Sequence, residues 1–158
     1  MQAADILIRP AIAGDADGIS AVLALVVAAS GSDRSSDPEH VRERYLEDRN
    51  RVRCSVATGA DGSILGFQSL KRAMPDNPYG VTPGWGIIGT YVRPGLGRLG
   101  IGRRLFASSL EAAREAALPA IDATIGADNA LGLAYYEAMG FRAYRRRAGS
   151  ICKSYVLG

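Results

Sequence analysis

The pattern of apolar and polar positions predicts alternating strands and helices in the first half of the chain. Short apolar runs bounded by turn-forming residues predict strands, and longer segments with apolar residues on one side predict helices. The predicted elements are a strand at 6–8, a helix at 15–29, a helix at 39–49, and strands at 53–58 and 64–71. The pair Asp61-Gly62 is typical of a hairpin turn between two strands, so the middle of the sheet is predicted to be antiparallel. The small polar segment 30–38 predicts a loop.

The second half of the chain continues the alternation. The predicted elements are a strand ending at Val92, a helix from a glycine-rich turn to Leu118, a strand at 120–125, a helix at 129–139, and strands at 141–146 and 151–157. Pro119 ends the long helix because the residue before a proline avoids helical geometry, and Gly140 caps the following one. The chain is therefore predicted to form one domain over residues 1–158. Its class is α/β (α+β), with a mixed, largely antiparallel sheet of about seven strands flanked by about four helices.

Composition narrows the class of protein. With 158 residues, 47% of them hydrophobic and 22% charged, the chain is typical of one soluble globular domain. A net charge of +3 is too small to imply a nucleic-acid partner. The apolar segment 19–29 is half a membrane span, so we expect a cytoplasmic protein without a membrane partner. Cys54 and Cys152 are predicted to be buried and unpaired, and a single histidine leaves no metal site in the prediction.

The only dense basic cluster lies near the end of the chain. It consists of Arg142, Arg145, Arg146 and Arg147. We interpret it as the solvated face of a strand in preference to a phosphate or carboxylate site.

The segment 87–105 carries the clearest chemical signal. An apolar strand there runs into a glycine-rich turn that opens directly onto an amphipathic helix. Glycines let the backbone approach an anion, while free N–H groups and the positive end of the helix dipole point at it. No Asp, Glu or His lies between Asp76 and Glu111, whereas four arginines do: Arg93, Arg98, Arg103 and Arg104. The turn is therefore predicted to bind a polyphosphate.

One alternative is a dinucleotide-binding turn. Residues 95–100 read Gly-x-Gly-x-x-Gly, and Asp122 lies near the spacing of a ribose-binding acid. Against this interpretation, the string follows an antiparallel hairpin, and too few residues remain after it for the further strand–helix units of that fold.

Four motifs in order resemble the GNAT superfamily of acetyl-CoA-dependent N-acetyltransferases. They are Val92-x-Pro94, the run 100–105 (Gly-Ile-Gly-Arg-Arg-Leu), Asn129, and the run 136–141 (Tyr-Glu-Ala-Met-Gly-Phe). The resemblance implies the acyl-CoA N-acyltransferase fold, acetyl-CoA as co-substrate and a primary amine as acceptor. We also expect a homodimer.

The resemblance also implies the residues that bind acetyl-CoA. Gly100 and Gly102 match the family's glycines, but Gly97 stands where the family usually has Gln or Arg, and Arg98 replaces a frequent glycine. The implied set is Tyr91, Val92, Gly97, Arg98, Leu99, Gly100, Ile101, Gly102, Arg103, Asn129 and Tyr136.

Two residues of the last helix take roles by the same resemblance. Tyr136 matches the tyrosine that protonates the departing thiolate, with a core aromatic as the alternative. Asn129 opens the helix as an N-cap, which is compatible with a ligand contact. Tyr135 points about 100° away from Tyr136 and is predicted to be core packing.

The sequence leaves the base and the acceptor open. Members of the family often place a Glu on the fourth strand, but residues 84–92 hold no carboxylate, and Tyr91 is the strand's only titratable residue. We therefore expect a water relay to a more distant group, with Glu39, His40 and Asp76 as candidates. The acceptor pocket is expected between the loop 30–38 and the turn 147–151, for a small amine that carries a carboxylate; a protein N-terminus or lysine stays possible. A catalytically silent CoA-binding module is the other alternative.

Overall fold

The structure is a computed structural model that describes residues 2–31 and 34–158. Within these residues the chain forms one seven-stranded sheet with helices on both faces. The strands are β1 (Leu7–Pro10), β2 (Arg51–Thr58), β3 (Ile64–Arg72), β4 (Gly86–Val92), β5 (Ala120–Gly126), β6 (Arg142–Arg147) and β7 (Ser150–Val156). The helices are α1 (Ala16–Ser30), α2 (Pro38–Val41), α3 (Ile101–Glu115) and α4 (Ala130–Met139). The predicted mixed sheet flanked by four helices is confirmed.

The order of the strands explains where a cleft forms. The sheet runs β1-β2-β3-β4-β5-β7-β6, and every neighbouring pair is antiparallel except β4 with β5. These two parallel strands pair only at Gly86 with Ile121 and Ile87 with Asp122. Beyond Ile87 they diverge, so the rest of β4 has a partner on the β3 side alone. A sheet that splays in this way opens a gap in its centre.

Apolar packing holds a helical layer on each face of the sheet. On one face Ile19, Val22 and Leu23 of α1 pack with Val56 and Phe67 of the sheet. On the other face Phe106 and Ala113 of α3 pack with Ile121 and Phe141, in a cluster that includes Tyr136. Each layer buries apolar side chains from successive elements, which is the main stabilising contribution in a domain of this size. The diverging ends of β4 and β5 lie between these two cores.

The second predicted helix differs from its prediction. In place of one helix over 39–49, the short helix α2 continues as a π-helical turn over Arg42–Leu46. Asp37 caps the start, since its carboxylate accepts a hydrogen bond from the Glu39 N–H at 3.1 Å. Helical pairing stops where Asp48 accepts the Asn50 N–H at 2.7 Å, because this local turn competes with the helix. The long helix α3 likewise ends at Glu115, short of Leu118.

Cys54 and Cys152 are buried and free, as predicted. The segment Ala13–Ser30 is long and apolar enough to cross a membrane by length and composition alone. Core helices of soluble proteins pass the same test, and in this fold Ile19, Val22 and Leu23 pack against the sheet. In residues 2–31 and 34–158, no group of three or more His, Cys, Asp or Glu side chains comes together as a metal site would require.

Candidate active site

A cleft of about 1280 Å³ occupies the gap between β4 and β5. Its floor includes Thr90, Tyr91 and Val92 of β4, together with Thr124 of β5. Asn129 and Tyr136 line it from the start and the middle of α4. Four of the sequence-predicted site residues, Tyr91, Val92, Asn129 and Tyr136, therefore lie around one opening.

Tyr136 reaches this cleft from a largely apolar environment. Its side chain is buried, and its ring packs edge-on against Phe141 with centroids 5.1 Å apart. The phenolic oxygen lies 2.8 Å from the Thr90 hydroxyl oxygen. Burial raises the pKa of Tyr136 well above its ordinary value, although hydrogen bonding to Thr90 acts in the opposite direction. The phenol therefore keeps its proton across the physiological range.

Tyr135, predicted as core packing, has a further role in the structure. Its hydroxyl donates to the backbone carbonyl of Gly102 at 2.7 Å and accepts from Gln68 Nε2 at 3.0 Å. Burial raises the pKa of Tyr135 to about 12. The side chain thus connects the centre of the sheet to the first turn of α3.

The turn before α3 has the geometry of an anion cradle. Gly100 precedes the helix with φ of 71°, a left-handed conformation that glycine adopts at little cost, and the space beside its Cα is open. The N–H groups of Ile101, Gly102 and Arg103 lie in the first helical turn, where the backbone offers them no acceptor. Arg98 and Arg103 are exposed beside them. These donors and charges suit a pyrophosphate.

Other residues of the segment 97–104 have different roles. Arg104 does not serve the cradle, because its guanidinium donates to the Ile6 carbonyl at 2.8 Å and ties the N-terminal segment to α3. Gly97 lies in the exposed turn with open space where a side chain would be. Leu99 packs against the cluster that contains Ile101.

Gly102 is required by packing. A Cβ on Gly102 would lie 2.6 Å from Cε1 of Tyr135, which is closer than carbon atoms approach. Position 102 therefore tolerates only glycine while the Tyr135 ring stays in place. The first turn of α3 and the middle of α4 are packed tightly together at this point.

Asn129 is the N-cap of α4. Its side-chain oxygen accepts the Gly132 N–H at 3.0 Å, which confirms the predicted cap. The residue is also exposed at the cleft, so a ligand contact stays compatible with the cap.

Tyr91 of β4 lines the cleft with its aromatic ring. The ring stacks on Phe67 at 4.8 Å between centroids, and the Arg34 guanidinium lies 5.6 Å from its centre. Burial raises the pKa of Tyr91 far above its ordinary value. Burial thus favours the protonated form of Tyr91.

Cations gather at the end of the cleft beside Tyr45. Arg34 donates to the Tyr45 hydroxyl at 3.4 Å, while the Arg44 guanidinium and Lys71 ammonium lie 5.9 and 5.5 Å from its ring centre. Asp48 pairs with Lys71 at 3.0 Å. Burial acts to raise the pKa of the Asp48 carboxyl, but the Asn50 N–H and Lys71 outweigh it and lower that pKa. Asp48 and Lys71 thus form an ion pair at this end of the cleft.

The outer wall of the cleft differs from the expected one. It is formed by the loop around Met74, Asp76 and Tyr79, and the turn 147–151 is not among the lining residues of the described chain. On the facing side, Ser30, Gly31 and Arg34 line the cleft; Ser32 and Asp33 of the same predicted loop lie outside the described residues. Of the three candidate bases, Asp76 lies on the cleft, and Glu39 and His40 do not line its described part.

The basic cluster near the end of the chain supports this wall. Arg145 donates to the Tyr79 carbonyl at 2.7 Å and to the Gly80 carbonyl at 3.1 Å. Arg147 lies 3.4 Å from the Pro78 carbonyl. These two arginines fasten the loop that closes the cleft, whereas Arg142 and Arg146 are exposed, as a solvated strand face predicts.

Sequence reasoning missed several residues of the site. Gln68, Thr90, Arg34 and Lys71 were not among the predicted site residues, although Gln68 is fully buried. A polar amide in the middle of the otherwise apolar strand 64–70 was the one available signal, because a buried polar group needs a partner. The others became visible only when α1, β3 and β4 were brought together.

The fold and site together define an acyltransferase that uses coenzyme A. A splayed sheet, a glycine turn with free amides before α3 and a protonated tyrosine in the central cleft are the parts that such a reaction needs. Residues 20–141 match the Acetyltransferase (GNAT) family, and the chain belongs to that family.

Solved structures of this fold agree with the assignment. Ribosomal-protein-alanine N-acetyltransferase from Brucella melitensis is 26% identical, with a TM-score of 0.76 over 96% of this chain and 99% of that chain. A GNAT family acetyltransferase from Brucella melitensis, in complex with acetyl-CoA, is 24% identical, with a TM-score of 0.71 over 97% and 88% of the two chains. PaiA N-acetyltransferase from Thermoplasma acidophilum, in complex with coenzyme A, is 16% identical, with a TM-score of 0.72 over 96% and 99%. A comparison with curated proteins finds no significant match.

Acetyl-CoA at saturating concentration is expected to raise the melting temperature, and NAD or NADP is not. At about 100 times the dissociation constant, binding adds roughly 2.7 kcal/mol to the free energy of unfolding, or roughly 5–10 °C for a chain of this size. Both ligands carry one pyrophosphate for the cradle at Gly100, but NAD has a second nucleotide where acetyl-CoA has the pantetheine arm, and we expect no site for that second nucleotide. Differential scanning fluorimetry measures the shift, and pantetheine, which lacks the pyrophosphate and nucleotide, is the control. Equal stabilisation by NAD contradicts the assignment of the ligand as acetyl-CoA.

Proposed function

We propose that this protein transfers the acetyl group of acetyl-CoA to the primary amine of a small, carboxylate-bearing molecule, by direct attack in a ternary complex. The observation that carries the proposal is the Tyr136 phenol, held 2.8 Å from Thr90 in the cleft that the diverging strands open. Because burial keeps this phenol protonated beside the cleft, it has a proton to give to a departing thiolate.

Acetyl-CoA supplies an acetyl group activated as a thioester. On the protein side, the first-turn amides of α3 with Arg98 and Arg103 bind the pyrophosphate. The proton for the sulfur comes from Tyr136. No metal takes part in this proposal.

Backbone amides of β4 supply the donors for the tetrahedral oxyanion. The Arg93 N–H donates to the Leu65 carbonyl on β3 at 2.9 Å. Because successive residues of a strand direct their amides to opposite sides, the Val92 N–H faces away from β3, where β5 has diverged. An amide aimed into a cleft without a strand partner is a natural oxyanion donor.

The base is proposed to be water connected to the carboxylates of the cleft. β4 carries no carboxylate, and the Tyr91 phenol is held protonated by burial. Asp48 and Asp76 are the carboxylates on the acceptor side of the cleft. A relay of this kind leaves much of the deprotonation to the titration of the amine itself.

The class of acceptor follows from the cations around Tyr45. The Arg44 guanidinium and the Lys71 ammonium lie beside that ring, and Asp48 pairs with Lys71. Among the described residues Arg44 forms no ion pair within 4 Å and donates to the Tyr79 hydroxyl, so its charge favours an acceptor with a carboxylate. The name of the ribosomal-protein-alanine relative supports a second candidate, the α-amine of a protein N-terminus.

A screen of amines with acetyl-CoA that follows thiol release tests this proposal. Each amide lacks the charged group and also has an amine of lower pKa, so the specificity constants (kcat/KM) are compared per deprotonated amine. On that basis we expect free amino acids to react about 10-fold or more faster than their amides. Short peptides with a free N-terminal alanine test the second candidate in the same assay. A preference for the amides contradicts the carboxylate subsite, and the absence of thiol release with every amine tested favours the silent CoA-binding module.

We propose that this protein acts in the cytoplasm as a homodimer, with no nucleic-acid or membrane partner.

A further inference from the structure

We propose that Gln68 and Tyr135 are positioning residues, which orient the hydrogen bonds around Thr90 so that Tyr136 keeps its own proton directed at the cleft. This inference rests on the proposed role of Tyr136 as general acid. It follows from which atoms can donate and which can only accept along a chain of four hydrogen bonds.

The donor–acceptor direction of these hydrogen bonds is determined at the Gly102 carbonyl. The Gly102 carbonyl oxygen can only accept, so the Tyr135 hydroxyl, 2.7 Å away, must donate its proton there. Because the Tyr135 proton is used in this bond, the Tyr135 oxygen can only accept a hydrogen bond from its second partner, on β3. The group that meets it on β3 must therefore be a donor.

Gln68 is that donor. Its Nε2 lies 3.0 Å from the Tyr135 oxygen and 2.8 Å from the Thr90 hydroxyl oxygen, so its two amide protons serve these two acceptors. The Gln68 Oε1 is buried and has no hydrogen-bond partner among the described residues. A buried acceptor without a partner is unfavourable. A flipped amide would instead place an oxygen against the lone pairs of Tyr135, so the orientation is retained at that cost.

The Thr90 hydroxyl connects Gln68 to Tyr136. Its oxygen accepts from Gln68 at one lone pair, and either oxygen of the Thr90–Tyr136 pair, 2.8 Å apart, can be the donor of the next bond. In this proposal the Thr90 proton forms that bond, so that Tyr136 receives a hydrogen bond at its oxygen and keeps its own proton. That proton remains for a group bound in the cleft, which is the requirement for a general acid.

A hydrogen bond from Thr90 also stabilises Tyr136 after Tyr136 has donated its proton. A donor at the phenolic oxygen stabilises the phenolate, and hydrogen bonding to Thr90 opposes the rise in the pKa of Tyr136 that burial causes. Gln68 and Tyr135 are therefore connected to the reaction without touching the reacting atoms. Their position between β3 and α3 also connects the cradle at Gly102 to the acid.

Neutron diffraction on deuterated crystals of the protein without ligand tests the direction itself. We expect the deuteron between Thr90 and Tyr136 to be bonded to Oγ1 of Thr90, with the Tyr136 deuteron directed into the cleft. A deuteron bonded to the Tyr136 oxygen and shared with Thr90 overturns the inference. This result does not depend on the identity of the acceptor or on catalysis.

Kinetics of two matched variants test the consequence. Thr90→Val removes the hydroxyl and keeps the shape, and is expected to lower kcat about 10-fold with little change in the KM for acetyl-CoA. Thr90→Ser restores the hydroxyl and is expected to recover most of the rate. Gln68→Met is expected to lower kcat similarly, and melting temperatures establish that each variant is folded.

A double-mutant cycle separates positioning from a general structural effect. If Thr90 and Gln68 act through Tyr136, then neither Thr90→Val nor Gln68→Met lowers kcat further in a Tyr136→Phe background. Full additivity in that background overturns the inference. A Tyr136→Phe variant with normal turnover contradicts the proposed general acid instead. The neutron experiment then still tests the direction of the hydrogen bond between Thr90 and Tyr136.

Discussion

Replacing Tyr136 with phenylalanine is expected to lower kcat by about 100-fold or more, with little change in the affinity for acetyl-CoA. The substitution keeps the ring that packs against Phe141 and removes only the hydroxyl beside Thr90. Without that proton the sulfur must depart as a thiolate or take its proton from water. Initial rates of thiol release, together with acetyl-CoA binding by calorimetry, measure both quantities.

The matched control is Tyr155→Phe. Tyr155 packs in the same apolar cluster, with its ring 5.6 Å from that of Phe141, and does not line the cleft. We expect this variant to retain turnover within about twofold. Tyr135→Phe is no control, because it removes the hydrogen bond to the Gly102 carbonyl. Equal losses in the Tyr155 and Tyr136 variants contradict the assignment of the acid.

The pH dependence of kcat gives a second measure of the same group. An exposed tyrosine titrates near pH 10, whereas burial raises the pKa of Tyr136 well above that value. A general acid works while it is protonated, so a raised pKa extends activity to higher pH. The wild-type enzyme is therefore expected to show no fall in kcat up to about pH 10. A decline centred between pH 7 and 9 that is absent in Tyr136→Phe contradicts the buried, protonated acid.

Replacing Gly102 with valine is expected to weaken acetyl-CoA binding by about 100-fold. The added Cβ alone would lie 2.6 Å from the Tyr135 ring, so either the ring or the first turn of α3 must move. In both cases the amides that bind the pyrophosphate lose their alignment, and each charge-assisted hydrogen bond lost costs about 1.5–3 kcal/mol. Calorimetry with acetyl-CoA measures the loss directly.

Two further variants isolate the cause of that loss. Gly100→Val leaves the packing at Tyr135 intact but strains a residue with φ of 71°, so it is expected to disturb the cradle through the backbone alone. Ala107→Val places the same side chain at an exposed position of α3 and is the control for helix propensity. Near-normal affinity in a folded Gly102→Val variant shows that the anion binds elsewhere.

Much of the fold was predictable because its signals are local. Hydrophobic periodicity, the Asp61-Gly62 turn and the Gly140 cap depend on residues close in the chain, and all three predictions hold in the structure. The second helix was predicted too long, because the turn at Asp48 competes with helical pairing and leaves little mark on the pattern. The candidate cradle was also readable, since its glycines and arginines lie within one segment.

The sequence by itself determined most of the helices and strands and the glycine-rich turn before α3, because backbone propensity and patterning act over a few residues. Only the tertiary structure decided where β4 and β5 part, and hence which residues face the cleft. The hydrogen bonds from Gly102 through Tyr135 and Gln68 to Thr90 join residues far apart in the chain. The same is true of the wall fastened by Arg145, because such contacts depend on how distant strands pair and twist, and no local pattern encodes that arrangement.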